Sequence, residues 1–278
     1  MQPPRSEHAR SLHVLLGGLL LVASSLVGAG CTSSPAPSPA AFRPTDTLTT
    51  TVARDSVLAV LASMRRAAFD SAFVRLENYT VTRSLETEQL DTTGAVTARR
   101  RYVIRYAPGD AAGTIQQRDS TGRFRTGGLL AQAAPATAPT DRPPNVAAQV
   151  LGDDPPYVEP RTQEAYRYAL GTETGPDGTP VYVVEATARD EGTGRDQSVR
   201  YARLLLDRST RELVGLTLVR IDEGLLFSEH SRFALHLQRG PDGTWVPAES
   251  RVQAYLHVLF RAPRSFRTVS SFSDYADS

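Results

Sequence analysis

Lysine is absent from this sequence, and cysteine and tryptophan occur once each. All 31 basic residues are therefore arginine, set against 30 acidic ones. The missing lysine is a bias of the kind a GC-rich genome imposes and carries no functional message. A single cysteine, Cys31, excludes an internal disulfide even in an oxidising compartment. Basic runs are lacking beyond Arg99-Arg100-Arg101, so nothing marks the chain as a partner of nucleic acid. There is no nucleophile elbow, phosphate loop or zinc-ligand spacing. Ser228-Glu229-His230-Ser231 holds the residue types of a hydrolase, but neighbours on a strand point to opposite faces. His230 and His236 share a face at about 3.3 Å per residue, hence about 20 Å apart, too far for one metal ion. His257 could meet either of them across strands, as a solvated pair rather than a ligand set. Asp153-Asp154 lies among prolines without partner ligands at metal spacing. The expectation is a protein that is not an enzyme and holds no metal or cofactor.

Only one long apolar run is present, Leu12 to Val27, preceded by a polar stub carrying Arg5 and Arg10. It is too short, and too rich in Gly and Ser near its end, for a comfortable transmembrane helix, but it has the layout of a secretory signal. Leu26-Val27-Gly28-Ala29-Gly30-Cys31 then resembles the bacterial lipobox, departing from it at Gly28, where Leu is usual. The resemblance implies cleavage before Cys31, lipid on that cysteine, and attachment to a membrane through two or three acyl chains. Thr32 follows where inner-membrane lipoproteins commonly carry Asp, which implies an outer-membrane lipoprotein facing the periplasm. Removing residues 1–30 takes away Arg5, Arg10 and Glu7, leaving 29 basic and 29 acidic residues and no net charge.

Residues 31–47, rich in Pro, Ser and Ala, read as a flexible tether. Residues 48–278 are long enough for a single domain with a proper core. Within it, Val57, Leu58, Leu61, Met64, Ala68 and Phe69 recur at helical spacing and predict one helix over Asp55 to Arg75, capped by Thr50 or Asp55. From Asn78 the period changes to two. Strands are predicted over Arg99–Tyr106, Ala165–Leu170, Val181–Ala188, Val199–Leu206, Leu213–Ile221, Leu225–Leu237, Trp245–Phe260 and Ser265–Phe272. Gly175-Pro176-Asp177-Gly178 and Gly240-Pro241-Asp242-Gly243 are near-duplicate turns, and short connections favour antiparallel pairing. Residues 131–160 hold seven prolines and form either a functional lid or a disordered excursion.

One helix ahead of many antiparallel strands, behind a lipobox, resembles the LolA/LolB-like superfamily of periplasmic lipoprotein carriers. The likeness is carried by Tyr166-Arg167-Tyr168-Ala169-Leu170, Val181-Tyr182-Val183-Val184-Glu185, Leu204-Leu205-Leu206-Asp207 and Leu213-Val214. Asp242-Gly243-Thr244-Trp245-Val246-Pro247 and Ser273-Asp274-Tyr275 extend it. The resemblance implies a mostly β fold, a strongly curved antiparallel sheet forming an incomplete barrel, with the N-terminal helix as its cover. It also implies a concave face that takes acyl chains. Leu58, Leu61 and Phe69 would then belong to the cover. The candidate inner-face residues are Tyr102, Ile104, Tyr106, Phe233, Leu235, Leu237, Val252, Leu256, Val258 and Phe260, each either a ligand contact or plain core. The expected partners are a membrane, through the lipid, and an apolar small molecule or acyl chain. The alternative is an envelope scaffold or sensor of the RseB type that binds another protein.

Overall fold

The computed structural model describes residues 48, 52–124, 139–143, 150–151, 155–175, 178–189, 199–223, 227–258 and 263–277. Cys31, the signal-like segment and the tether lie outside them.

Ten strands form one open antiparallel sheet. They are β1 (Tyr79–Leu90), β2 (Val96–Tyr106), β3 (Thr114–Gly122), β4 (Tyr166–Thr174), β5 (Pro180–Ala188) and β6 (Val199–Asp207), then β7 (Leu213–Glu223), β8 (Phe227–Arg239), β9 (Trp245–Val258) and β10 (Arg264–Asp277). Their order is β3-β2-β1-β10-β9-β8-β7-β6-β5-β4. Two meanders, β1–β3 and β4–β10, are thus joined only where the first strand pairs with the last, from Tyr79 opposite Asp277 to Leu90 opposite Ser265. Val81, Ile104 and Tyr106 of β1 and β2 belong to the same buried cluster as Val184 and Leu204 of β5 and β6, linked through the helices and the strands between them.

The hairpin chemistry is local. Gly175 donates its N–H to Thr179 O at 2.7 Å, and Gly240 to Thr244 O at 2.7 Å; Gly178 and Gly243 close each turn at φ +83° and +78°. Only glycine takes that conformation without strain, which is why both turns end on it. Asp242 Oδ1 accepts from the Thr244 N–H at 2.9 Å and its hydroxyl at 2.7 Å. Asp91 and Asp207 organise their own turns in the same way. Hydrogen bonds from Tyr79 and Thr244 hold the Asp242 carboxyl down at about 2.

In place of one helix over Asp55–Arg75 there are two short ones and a 3-10 turn: α1 (Arg54–Ala62), α2 (Ala67–Ser71) and Val74–Asn78. The break serves the sheet. Arg65 is extended, donating its N–H to Arg211 O at 2.8 Å and accepting from Leu213 N–H at 2.8 Å, so it bridges to the start of β7. Tertiary pairing overrides local periodicity here. Ala53 occupies the N-cap without a side-chain bond, and Asp55 lies inside the first turn, where its charge complements the helix dipole. Thr50 is outside the described residues.

Two further features depart from the sequence pattern. β3 was not among the predicted strands: every residue of Thr-Ile-Gln-Gln-Arg-Asp-Ser-Thr-Gly is exposed, so it has no buried face to impose alternation. Within the proline-rich stretch, the described residues include packed ones. Leu151 and Tyr157 are buried in the core, and the Tyr157 ring meets Tyr166 edge-on at 6.3 Å between centroids.

Candidate functional site: the inner face and its uncovered part

Alternation along β strands gives each residue one of two faces. The face against which α1, α2 and the 3-10 turn pack is called inner. Phe73 lies edge-on to Phe272 at 6.1 Å, and Arg54 sits over the Tyr168 ring at 5.8 Å, both on this face. Val57, Leu61, Phe69 and Leu76 are buried in the same cluster as Leu204, Leu216, Leu218 and Leu235, with Leu58 packed at its margin.

Register sets the candidates side by side. Leu85 of β1 pairs with Tyr102 of β2 and Ser270 of β10, and the row runs on through Ser250 to Leu235 and Leu216. The next row runs Arg100, Thr87, Thr268, Val252, Phe233, Leu218. Leu256 faces Glu229 on one side and Arg264 on the other, and Val258 faces Phe227. All nine described candidates therefore project from the inner face; Phe260 lies outside the described residues.

Burial divides them into two groups. Ile104, Tyr106, Leu235 and Leu237 are at most 1% exposed and form packed core beneath the cover. Tyr102, Phe233, Leu256 and Val258 are half-buried, and Val252 is 40% exposed. Leu85 and Phe266, also half-buried on this face, join the second group. Neither was singled out from the sequence. Phe266 and Phe272 lie six apart in one predicted strand, a same-face spacing that marks them. Among the described residues the cover thus ends partway across the sheet, and beyond it lies an apolar floor of half-buried side chains with Val252 exposed.

The outer face differs in kind. Glu88, with 2% of its side chain exposed, is gripped by Arg99 at 2.6 Å and by Arg267. Burial alone would push its carboxyl up, but the hydrogen bonds from Arg267 and Arg99 outweigh it and hold it below the usual range. Glu185 accepts the Tyr201 hydroxyl at 2.8 Å, Arg203 at 3.0 Å and the Leu48 N–H at 2.8 Å. A small second cluster of Tyr201, Val219 and Tyr255 packs on this side.

His230, His236 and His257 lie on the outer face as well. His230 is buried beside Tyr255, with ring centroids 5.6 Å apart, and its Nε2 is 3.4 Å from Glu223. Burial holds His236 below the ordinary imidazole value. Ser228 stands opposite His257, and Glu229 projects from the other face, so these types do not assemble into a hydrolase arrangement. Among the described residues no three of His, Cys, Asp and Glu gather as metal ligands. None of the described helices is long and apolar enough to cross a membrane. A shallow hollow of about 170 Å³ opens at the β1–β2 hairpin tip, between Leu90, Gln253, Tyr255 and Ser265, away from the inner face.

No protein-family model matches the chain, and no curated protein does. Among solved structures it is similar to an outer-membrane lipoprotein-sorting protein domain from Vibrio parahaemolyticus, at 14% identity, 81% of this chain, 93% of that one and a TM-score of 0.29. A LolA superfamily protein from Nitrosomonas europaea matches at 14% identity, covering 82% and 94%, with a TM-score of 0.23. A DUF1329 family protein from Desulfovibrio piger matches at 13% identity, covering 83% and 94%, with a TM-score of 0.26. One of the three carries LolA in its name, and another carries lipoprotein sorting.

Proposed function

We propose that this chain is a lipid-anchored outer-membrane protein facing the periplasm, without catalytic activity, that holds a lipid, an acyl chain or another apolar molecule. The ligand lies on the uncovered part of the inner face, and the protein serves lipid or lipoprotein traffic in the envelope. Cys31 supplies the anchor, and α1 and α2 close the remainder of the face.

The observation that carries this reading is the change in burial along a single face. Leu235 is fully buried and Val252 is 40% exposed, although their rows are adjacent. Apolar side chains left half in water favour any apolar surface laid on them, at about 25 cal/mol per Å² removed from solvent. A long, narrow, apolar molecule on an open sheet removes the most area for the least ordering of the protein.

The test uses N-phenyl-1-naphthylamine, an uncharged apolar fluorophore that brightens on leaving water. Wild type should bind it, and Val252→Arg should bind it weakly while keeping its circular-dichroism spectrum and solubility. A wild type that never enhances the fluorescence would refute the reading and leave the scaffold alternative. Unchanged binding by Val252→Arg would place the ligand elsewhere.

A further inference from the structure

The uncovered floor is electrostatically one-sided. On β1, β2, β3, β9 and β10, from the row of Arg83, Ile104 and Phe272 onward, the inner face carries Arg83, Arg100, Arg118 and Arg264 and no Asp or Glu among the described residues. The acidic residues of those same segments, Glu86, Glu88 and Asp119, all project from the outer face, opposite or beside Arg99, Arg101 and Arg267. The next inner-face carboxylate is Glu229 of β8, which pairs with Leu256 and stands two strands from Arg264.

The inner-face arginines are also partnered differently. Arg100 lies over the Phe124 ring at 4.5 Å and Arg118 over Tyr102 at 5.8 Å. Arg83 donates to Ser270 Oγ at 3.0 and 3.1 Å and covers Phe272 at 5.9 Å. None of these three, nor Arg264, has a carboxylate within 4.0 Å among the described residues, whereas Arg99, Arg267, Arg203 and Arg251 on the outer face are each ion-paired. Four cations border this floor and repel one another, and Arg100 and Arg118, at the end far from Glu229, have no carboxylate partner among the described residues.

We infer that the ligand of this face is an anionic amphiphile: an acyl chain ending in a carboxylate or a phosphate. The inference rests on the apolar-ligand reading above and adds the head group to it. The row of Arg100, Thr87, Thr268, Val252 and Phe233 gives the geometry. Arg100 stands three strands from Val252 and four from Phe233, about 14 to 19 Å, which is the span of an acyl chain laid across strands. The chain would lie over Val252, Phe233 and Leu256, and the head group would meet Arg100 and Arg118, whose planar forks match the oxygens of a carboxylate or phosphate. Thr87 and Thr268, between the two ends, offer hydroxyls along the way. The acylated cysteine of a lipoprotein ends in a neutral glyceryl and amide group, so it would leave these arginines unanswered.

Dansylaminoundecanoic acid and its methyl ester share one chain and differ by one charge, which separates this inference from the reading beneath it. Each is titrated into the purified full chain, freed of detergent, and into the exposed double variant Arg100→Gln with Arg118→Gln. The acid should bind wild type about tenfold tighter than the ester. The double variant should lose that preference while binding the ester unchanged, and high salt should narrow the gap in wild type. Displacement by dodecanoate against dodecyl phosphate then identifies which oxyanion is the better head group. Equal affinity for acid and ester, or a preference that survives in the double variant, overturns the inference and leaves the apolar-ligand reading standing. Failure of both probes to bind overturns both.

Discussion

Leu235 and Val252 offer a direct comparison of the covered and uncovered parts of the inner face. Leu235 is 0% exposed, set between Leu216 of β7 and Ser250 of β9. Truncation to Ala there loses the buried methyl groups and leaves a cavity that the packed cover and sheet close only in part, at a cost of about 2–5 kcal/mol. Val252 is 40% exposed. Val252→Ala removes two methyl groups already partly in water, so at about 0.8 kcal/mol per buried group the loss is about 1 kcal/mol. Urea unfolding followed by fluorescence suits the comparison, because the one tryptophan, Trp245, is 2% exposed and donates its indole N–H to Glu212 at 2.7 Å. With a denaturant slope of about 3 kcal/mol/M, the midpoint should fall by about 1 M for Leu235→Ala and about 0.3 M for Val252→Ala. Equal shifts would refute the division of the face, since they would mean that Val252 is packed as tightly as Leu235. A shift below about 0.3 M for Leu235→Ala would mean that the cover opens readily.

Three further outcomes are expected. Glu88→Gln leaves two arginines facing each other across a buried amide; because both guanidinium groups are about half exposed, the loss in stability should be about 1–2 kcal/mol, read from the same urea midpoint, and no loss would deny Glu88 a role in joining β1 to β2 and β10. Asp242, Asp207 and Glu88 have carboxyls depressed in the folded protein, so the stability they contribute is present above about pH 4 and is lost as pH falls through the folded values toward pH 2; a midpoint that stays flat from pH 5 to pH 2 would contradict this. Cys31→Ser should abolish incorporation of radiolabelled palmitate and release the protein from membranes, and labelling that persists in the variant would refute the lipid anchor.

Much of the sheet was legible because its chemistry is local. Period-two alternation in Tyr102-Val103-Ile104-Arg105-Tyr106 and in Phe233-Ala234-Leu235-His236-Leu237 assigned those side chains to one face, and the register keeps them there. The paired Gly-Pro-Asp-Gly turns were equally plain, since a glycine at positive φ is a demand of the hairpin itself. What was not legible depends on contacts distant in sequence. Nothing near Met64 or Arg65 announces that Glu212 will interrupt the helix. β3 has a single apolar residue, Ile115, and pairs among the described residues with β2 alone, so no pattern betrays it. Alternation also tells which face a residue occupies but not how far the cover extends. Ile104 and Tyr102 therefore look alike in sequence, and only packing separates core from floor.

The strand order has a consequence for how the molecule is made. β1, β2 and β3 are completed early in synthesis, yet their only strand partner in the second meander is β10, the last strand to emerge. Tyr79 waits for Asp277, and until it arrives the β1 edge is unpaired and the inner face of the first meander has nothing to curve around. Contacts this far apart in sequence close slowly, because a long loop must be ordered before they reward it. The two meanders consequently cannot be joined into one sheet while the C-terminal strand is still being delivered, although β4 to β9 pair with one another without it. β10 is thus the strand that turns two separate meanders into one sheet.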